Sequence, residues 1–268
     1  MEQGNITVWV GRANPVAKEM RIMVGRILIA ILIYVSIAAP AFAGPPFRTD
    51  DPEPVEYRHW EIYLASQGSF DRDGTSITAP HCEINYGIYP DVQVHLIVPF
   101  EFVKPEGKPS HYGYSDTELG VKFRFIQETN SRPQVGIFPI FLLPTGDKDK
   151  ELGSGEVQVF LPLWLQKSLG PWKTYGGGGY WINPGSGNKD YWFFGWEAER
   201  AISEHLTLGA EVFHQTVSEV GGDSSTGFNT GVIINFSDLH HVLLSAGRDF
   251  AGPNNASFYI AYQLTFGS

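Results

Sequence analysis

The stretch Val92-Gln93-Val94-His95-Leu96-Ile97-Val98-Pro99-Phe100-Glu101-Phe102 decides the architecture. Val92, Val94, Leu96, Val98, Phe100 and Phe102 take every second place, with Gln93, His95 and Glu101 between them. A period of two belongs to a β-strand, whose successive side chains point to opposite faces. The same alternation recurs outward in both directions. Trp60, Ile62 and Leu64 alternate with Glu61, Tyr63 and Ala65, and Thr117, Leu119, Val121, Phe123 and Phe125 with Asp116, Glu118, Lys122 and Arg124. Near the C-terminus Phe258, Ile260, Tyr262, Leu264 and Phe266 alternate with Tyr259, Ala261, Gln263 and Thr265.

Marking every such run predicts twelve strands, near 60–70, 79–88, 92–102, 114–126, 134–143, 156–166, 172–182, 191–201, 206–215, 226–236, 241–249 and 257–266. Short turns, as at Tyr89-Pro90-Asp91, alternate with longer polar loops at 71–78, 103–113, 144–155, 183–190, 216–225 and 250–256. An even strand count with short turns on one rim and long loops on the other is the pattern of an antiparallel up-and-down transmembrane β-barrel. Each strand with its connection takes about 17 residues over 60–268, whereas a soluble sandwich repeats every ~8–12.

The large aromatics fall near strand ends. Trp60, Tyr86, Phe123, Phe125, Trp172, Phe236 and Phe266 lie toward the short-turn rim, and Phe70, Phe100, Phe102, Phe141, Tyr180, Trp192, Phe194 and Phe258 toward the long-loop rim. Leu, Ile and Val fill the band between them. Two aromatic girdles around an aliphatic band match the two interfaces of a bilayer, so the apolar face is expected outward.

Composition agrees. The 268 residues are 43% hydrophobic and 14% aromatic with a net charge of −10, and the mean hydropathy is −0.13. No run reaches the ~20 apolar residues of a spanning helix. The acidic balance, without a Lys/Arg block, argues against a nucleic-acid partner. A single cysteine excludes an intramolecular disulfide and a Cys-rich zinc site.

Arg21 and Arg26 precede the apolar run Ile27 to Ala39, and Ala41-Phe42-Ala43 follows it. This is the layout of a secretory signal peptide, so 1–43 is expected to be an N-terminal extension and signal peptide. Gly44 to His59 is Pro-rich, charged and aperiodic, and is expected to be an extended periplasmic arm and a candidate plug. Residues 60–268 are expected to form the barrel.

The chain resembles a family of outer-membrane transporter-like proteins labelled as components of a meta-pathway of phenol degradation. The matching stretches are Gly44-Pro45-Pro46-Phe47-Arg48-Thr49-Asp50-Asp51-Pro52-Glu53-Pro54, Asp116-Thr117-Glu118-Leu119-Gly120-Val121-Lys122-Phe123-Arg124-Phe125, Leu143-Pro144-Thr145-Gly146-Asp147 and the strand from Trp172 to Tyr180. The resemblance implies a Gram-negative outer-membrane channel for small, including aromatic or hydrophobic, molecules, and no catalytic residue. The partners it implies are outer-membrane lipids, the barrel-assembly machinery and a small-molecule solute.

No cofactor or metal is expected. Gly176-Gly177-Gly178-Gly179 runs into the strand residues Tyr180-Trp181-Ile182, whereas a phosphate cradle needs a helix N-terminus behind it. Asp71-Arg72-Asp73-Gly74 and Asp147-Lys148-Asp149-Lys150-Glu151 lack the ligand spacing of a calcium loop. A lipid-acting enzyme would need a serine or threonine beside a histidine, and His205-Leu206-Thr207 offers this only at the short-turn rim. A purely structural barrel is the other alternative.

Counting strand positions places Glu61, Glu83, His95, Glu101, Asp116, Glu118, Lys122, Arg124, Lys173, Glu197, Glu199 and Glu211 on the inward face as pore-lining residues. Eight carboxylates against three cations make an acidic lumen, suited to cations and neutral solutes. Glu83 is expected opposite the positive charges of Lys122 and Arg124. Pro99, Pro139 and Pro162 fall within strands, where proline removes a ladder hydrogen bond. Bulges or a lateral opening toward lipid are expected there.

Overall fold

The computed structural model describes residues 45–267. The expected signal peptide, 1–43, lies outside the described residues. Fourteen strand segments follow one another: β1 (His59–Phe70), β2 (Gly74–Tyr89), β3 (Val92–Pro105), β4 (His111–Tyr114), β5 (Thr117–Ile126), β6 (Gln134–Ile137), β7 (Ile140–Leu143), β8 (Gln158–Leu169), β9 (Trp172–Ile182), β10 (Tyr191–Ser203), β11 (Leu206–Gln215), β12 (Ser225–Asn235), β13 (His240–Ala251) and β14 (Ala256–Gly267).

β4 and β5 both pair with β3, at Phe100↔Tyr114 and Ile97↔Glu118. β6 and β7 both pair with β8, at Ile137↔Leu163 and Ile140↔Phe160. Each couple is thus one strand of the wall, interrupted once, and the wall has twelve strands. β1 pairs with β14 along its whole length, from His59↔Gly267 to Phe70↔Ala256. The sheet is a closed antiparallel barrel, which leaves no edge strand to be satisfied by other means.

The faces are inverted relative to a water-soluble barrel. Leu64, Leu119, Val121, Leu161, Leu163, Leu208, Val212 and Ile260 are exposed on the outside. Trp60, Phe123, Phe125, Trp172 and Phe266 flank them at one end, and Phe70, Phe100, Phe141, Trp192 and Phe194 at the other. Glu83, His95, Lys122, Lys173, Glu197, Glu199 and Glu211 are buried inside. A closed wall whose backbone pairs strand to strand, and whose outer side chains are apolar, is suited to hydrocarbon.

The expected loop at 71–78 is mostly strand. β1 and β2 remain paired to Phe70↔Thr75, which leaves Asp71 to Asp73 as the connection. Thr75, Ser76 and Thr78 continue the ladder with Ile77 as its one apolar member, so the pairing outlasts the alternation that signals it.

Of the three strand prolines, Pro162 keeps register with Gly179, and Pro99 pairs with His81 beside a bulge between Thr78 and His81. Pro139 alone of these breaks a strand, separating β6 from β7. The interruption is confined to Phe138-Pro139: the Val121 amide donates to the Pro139 carbonyl at 3.1 Å, and pairing resumes on either side.

The glycine run is part of β9. A Cβ on Gly176 would stand 2.5 Å from the Trp196 ring, and one on Gly179 2.6 Å from Phe160. The missing side chains make room for rings on both faces of the wall.

Candidate functional site: the lumen and its arm

Residues 45–58 do not trail from the barrel; they run through its interior. Tyr57 bridges Gly87 at the short-turn rim, where the Arg58 amide donates to the Gly87 carbonyl at 2.7 Å. Further in, the Val55 amide donates to Gln93 Oε1 at 2.8 Å. Glu53 accepts from Gln166 Nε2 at 2.9 Å and lies 3.6 Å from Arg124 Nη1. Thr49 and Asp51 are fully buried.

One strand carboxylate takes three hydrogen bonds from the far end of the arm. Glu211 Oε1 accepts from the Arg48 amide at 2.9 Å, and its Oε2 accepts from the Thr49 amide at 2.8 Å and Thr49 Oγ1 at 2.6 Å. Hydrogen bonds to an ionised acceptor are the strong kind. The Phe47 ring presses on Gly209 and Gly231, which are register partners on β11 and β12. The Arg48 guanidinium lies 4.3 Å from the Phe213 ring centroid, a cation–π distance.

Asp50 and Asp51 meet Lys122 of β5 at 2.9 and 3.7 Å. Burial lifts the Asp51 carboxyl to about 7, against the opposing pull of Lys122. Arg124 holds the turn residue Asp91 at 2.7 Å. These partners differ from the sequence expectation: Glu83 was expected to match the positive charges of β5, but arm and turn carboxylates do so. A strand register names only neighbours in the sheet, and the arm reaches the same space from outside it.

Glu83 belongs to another chain of contacts. Asn85 Nδ2 donates to Glu83 Oε1 at 2.8 Å. His95 has its Nδ1 2.6 Å from Asn85 Oδ1 and its Nε2 2.9 Å from Glu118 Oε1. The imidazole thus bridges β2 and β5, from Asn85 to Glu118. Glu101 accepts from Ser76 Oγ at 2.6 Å and from Ser115 Oγ. Glu61 accepts from the Tyr63 hydroxyl at 2.9 Å.

Lys173, Glu197 and Glu199 lie deep on the opposite side, with Lys173 Nζ 3.4 Å from Glu199 Oε2. Asp116 sits at the long-loop rim and ties down the following loop: its Oδ1 accepts from the Gly146 amide at 2.9 Å and its Oδ2 from the Ser154 amide at 2.7 Å. His205, of the His205-Leu206-Thr207 run, has its Nδ1 3.0 Å from the Asn235 carbonyl in a turn.

The arm divides the lumen unequally. One side is packed with rings that the sequence reading did not select: Phe138, Phe160, Trp164, Phe193 and Phe213 form a buried cluster inside the barrel. Where neighbouring strand positions both carry rings, as at Phe193-Phe194, the inward ring does not stand out from the outward one in sequence. Along β14, β1, β2 and β3 a cavity of about 790 Å³ remains. It touches His59, Glu61, Asp238 and Thr265 toward the short-turn rim, and Ser76, Glu101, Asn255 and Ser257 toward the long-loop rim. Among the described residues, nine carboxylates line it against the two cations Arg48 and Lys122.

No family model matches the sequence, and no curated protein matches it. Solved structures do resemble the fold. The COG4313 outer membrane channel from Pseudomonas putida F1 superposes with a TM-score of 0.66 at 15% identity, covering 84% of this chain and 100% of that one. The translocator domain of the autotransporter NalP from Neisseria meningitidis gives 0.52 at 11% identity, covering 93% and 97%. The KdgM porin gives 0.51 at 8% identity, covering 77% and 99%. At such identities the likeness concerns the fold, and this chain has the fold of outer-membrane channel and translocator barrels.

Proposed function

We propose that the protein is an outer-membrane channel that passes small cationic and neutral solutes through a lumen narrowed by its own N-terminal arm. The observation that carries this reading is the cavity beside the arm, which touches residues at both rims and is lined by nine carboxylates against two cations. A lumen with that balance concentrates cations and repels anions. The apolar belt faces the lipids of the outer membrane, and such a barrel is a client of the barrel-assembly machinery. The resemblance to the phenol-degradation transporters extends the solute range to small aromatic molecules, and the rings inside the barrel support that extension.

Planar-bilayer recording of the purified full chain tests the reading. Discrete conductance steps with a reversal potential displaced toward the cation are expected under a salt gradient. Absence of steps above the lipid baseline, or anion preference, overturns it.

A further inference from the structure

The inner end of the arm crosses the wall strand by strand. The Thr49 hydroxyl occupies the space that a Cβ on Gly195 of β10 would need, the Phe47 ring covers Gly209 of β11 and Gly231 of β12, and the Pro46 carbonyl accepts from Ser245 Oγ of β13. Gly209, Gly231 and Ser245 are successive register partners, and the next in the row is Tyr259 of β14. Followed toward the N-terminus, the arm therefore leaves the ring-packed side of the lumen and heads for β14. Pro45, Pro46 and Phe47 border the cavity there, together with Ser245 and Asp249.

Pro45 is thus inside the barrel, near mid-height. Ser245, to which the neighbouring Pro46 is bonded, is the sixth of the twelve residues of β13 (His240–Ala251). Forty-four residues precede Pro45 in the sequence, and they include the apolar run Ile27 to Ala39. Still attached, they would start from the middle of the lumen and reach a rim only through it, where the open space is the acidic cavity of about 790 Å³. Packing an apolar chain over carboxylates strips their hydration without supplying a partner, which is costly. The docked arm therefore calls for a chain end close before Pro45.

We propose that the chain is cut between Ala43 and Gly44, and that the amino group so released is a third cation of the cavity, beside Arg48 and Lys122. Ala41 and Ala43 put small side chains at the third and first places before the cut, the pattern that the endopeptidase of the export route reads. Water adds across the amide: the Ala43 carbonyl carbon takes the hydroxyl, the Gly44 nitrogen takes the hydrogen, and the proton of the new carboxyl moves to the amine at neutral pH. Only the Gly44 carbons separate that nitrogen from Pro45, so it lies within about 5 Å of the Pro45 Cα. An ammonium there faces a cavity whose described residues count nine carboxylates against two side-chain cations. It ties the tip of the arm to the lumen as Lys122 ties its middle. The placement of the chain end does not depend on whether the barrel conducts.

The test uses the protein extracted from outer membranes after export with its leader. Intact mass is expected to give a chain that begins at Gly44. At about pH 6.5 an α-amine, which ordinarily titrates at about 8, is acylated in preference to lysine, which titrates at about 10.4. In the folded barrel a small acetyl ester is expected to modify Gly44, while a poly(ethylene glycol) ester reacts there only after denaturation. A chain that begins at any other residue, or the same result with both esters in the folded state, overturns the proposal. Reversal potentials under a salt gradient then read the charge. Acetylation of Gly44, which removes the charge, is expected to shift them further toward the cation, and reductive dimethylation, which keeps it, to leave them in place. Equal potentials in the acetylated and untreated chains overturn the ammonium as a cation of the cavity. Size-selective acylation without ion steps upholds the placement of the chain end and refutes the channel.

Discussion

Lys122 Nζ lies 2.9 Å from Asp50 Oδ1, joining the middle of a wall strand to a segment 72 residues earlier in the chain. The ammonium is 5% exposed and also meets Asp51 at 3.7 Å. Breaking one side of a buried ion pair leaves the other charged and desolvated, at about 3–5 kcal/mol. Lys122→Met is therefore expected to loosen the arm. It also removes one of the two cations from the cavity. Reversal potentials under a salt gradient should shift further toward the cation, and open-channel current should rise. An unchanged reversal potential would place Lys122 outside the permeation path.

Removal of residues 45–56 is expected to raise single-channel conductance several-fold, because the arm crosses the lumen from Gly87 to Ser245, where Ser245 Oγ donates to the Pro46 carbonyl. The barrel itself closes through β1 and β14 without the arm, so the truncated chain should still fold and resist detergent denaturation. Equal conductance in the two proteins would mean that ions bypass the arm entirely.

The arm should respond to pH with a definite sign. Asp51 has its carboxyl lifted to about 7 by burial while docked, with Lys122, Asp50, Lys173 and Glu53 around it; free in water the group titrates near ~4. The docked state therefore holds the extra proton between those values. Docking is strongest below the free value and weakens as pH rises through about 7. More frequent openings at pH 8 than at pH 5 are expected, and Asp51→Asn should flatten the difference. Greater closure at pH 8 would refute the assignment.

The seat of Phe47 is expected to tolerate no side chain. A Cβ on Gly209 or on Gly231 would stand 2.7 Å from the Phe47 ring. Gly209→Val keeps a strand-forming residue in β11 but denies the ring its place. Protease cleavage of residues 45–56 from the short-turn side should become faster by about tenfold or more, with barrel stability changed little. Cleavage at the wild-type rate would show that the arm end docks elsewhere.

The sequence by itself determined the barrel. The alternation from Val92 to Phe102 and its repeats set strand number, direction and the identity of the two faces, because side chains in a strand alternate whatever their partners. Closure then follows from an even count of strands with an apolar outer face. The acidic inward positions on β1, β2 and β10 were legible for the same reason. The tertiary structure alone decided what those charges meet. Residues 44–59 carry no period, so nothing local states that Thr49 docks on Glu211 or that Asp50 and Asp51 compensate Lys122; such contacts span up to 163 residues.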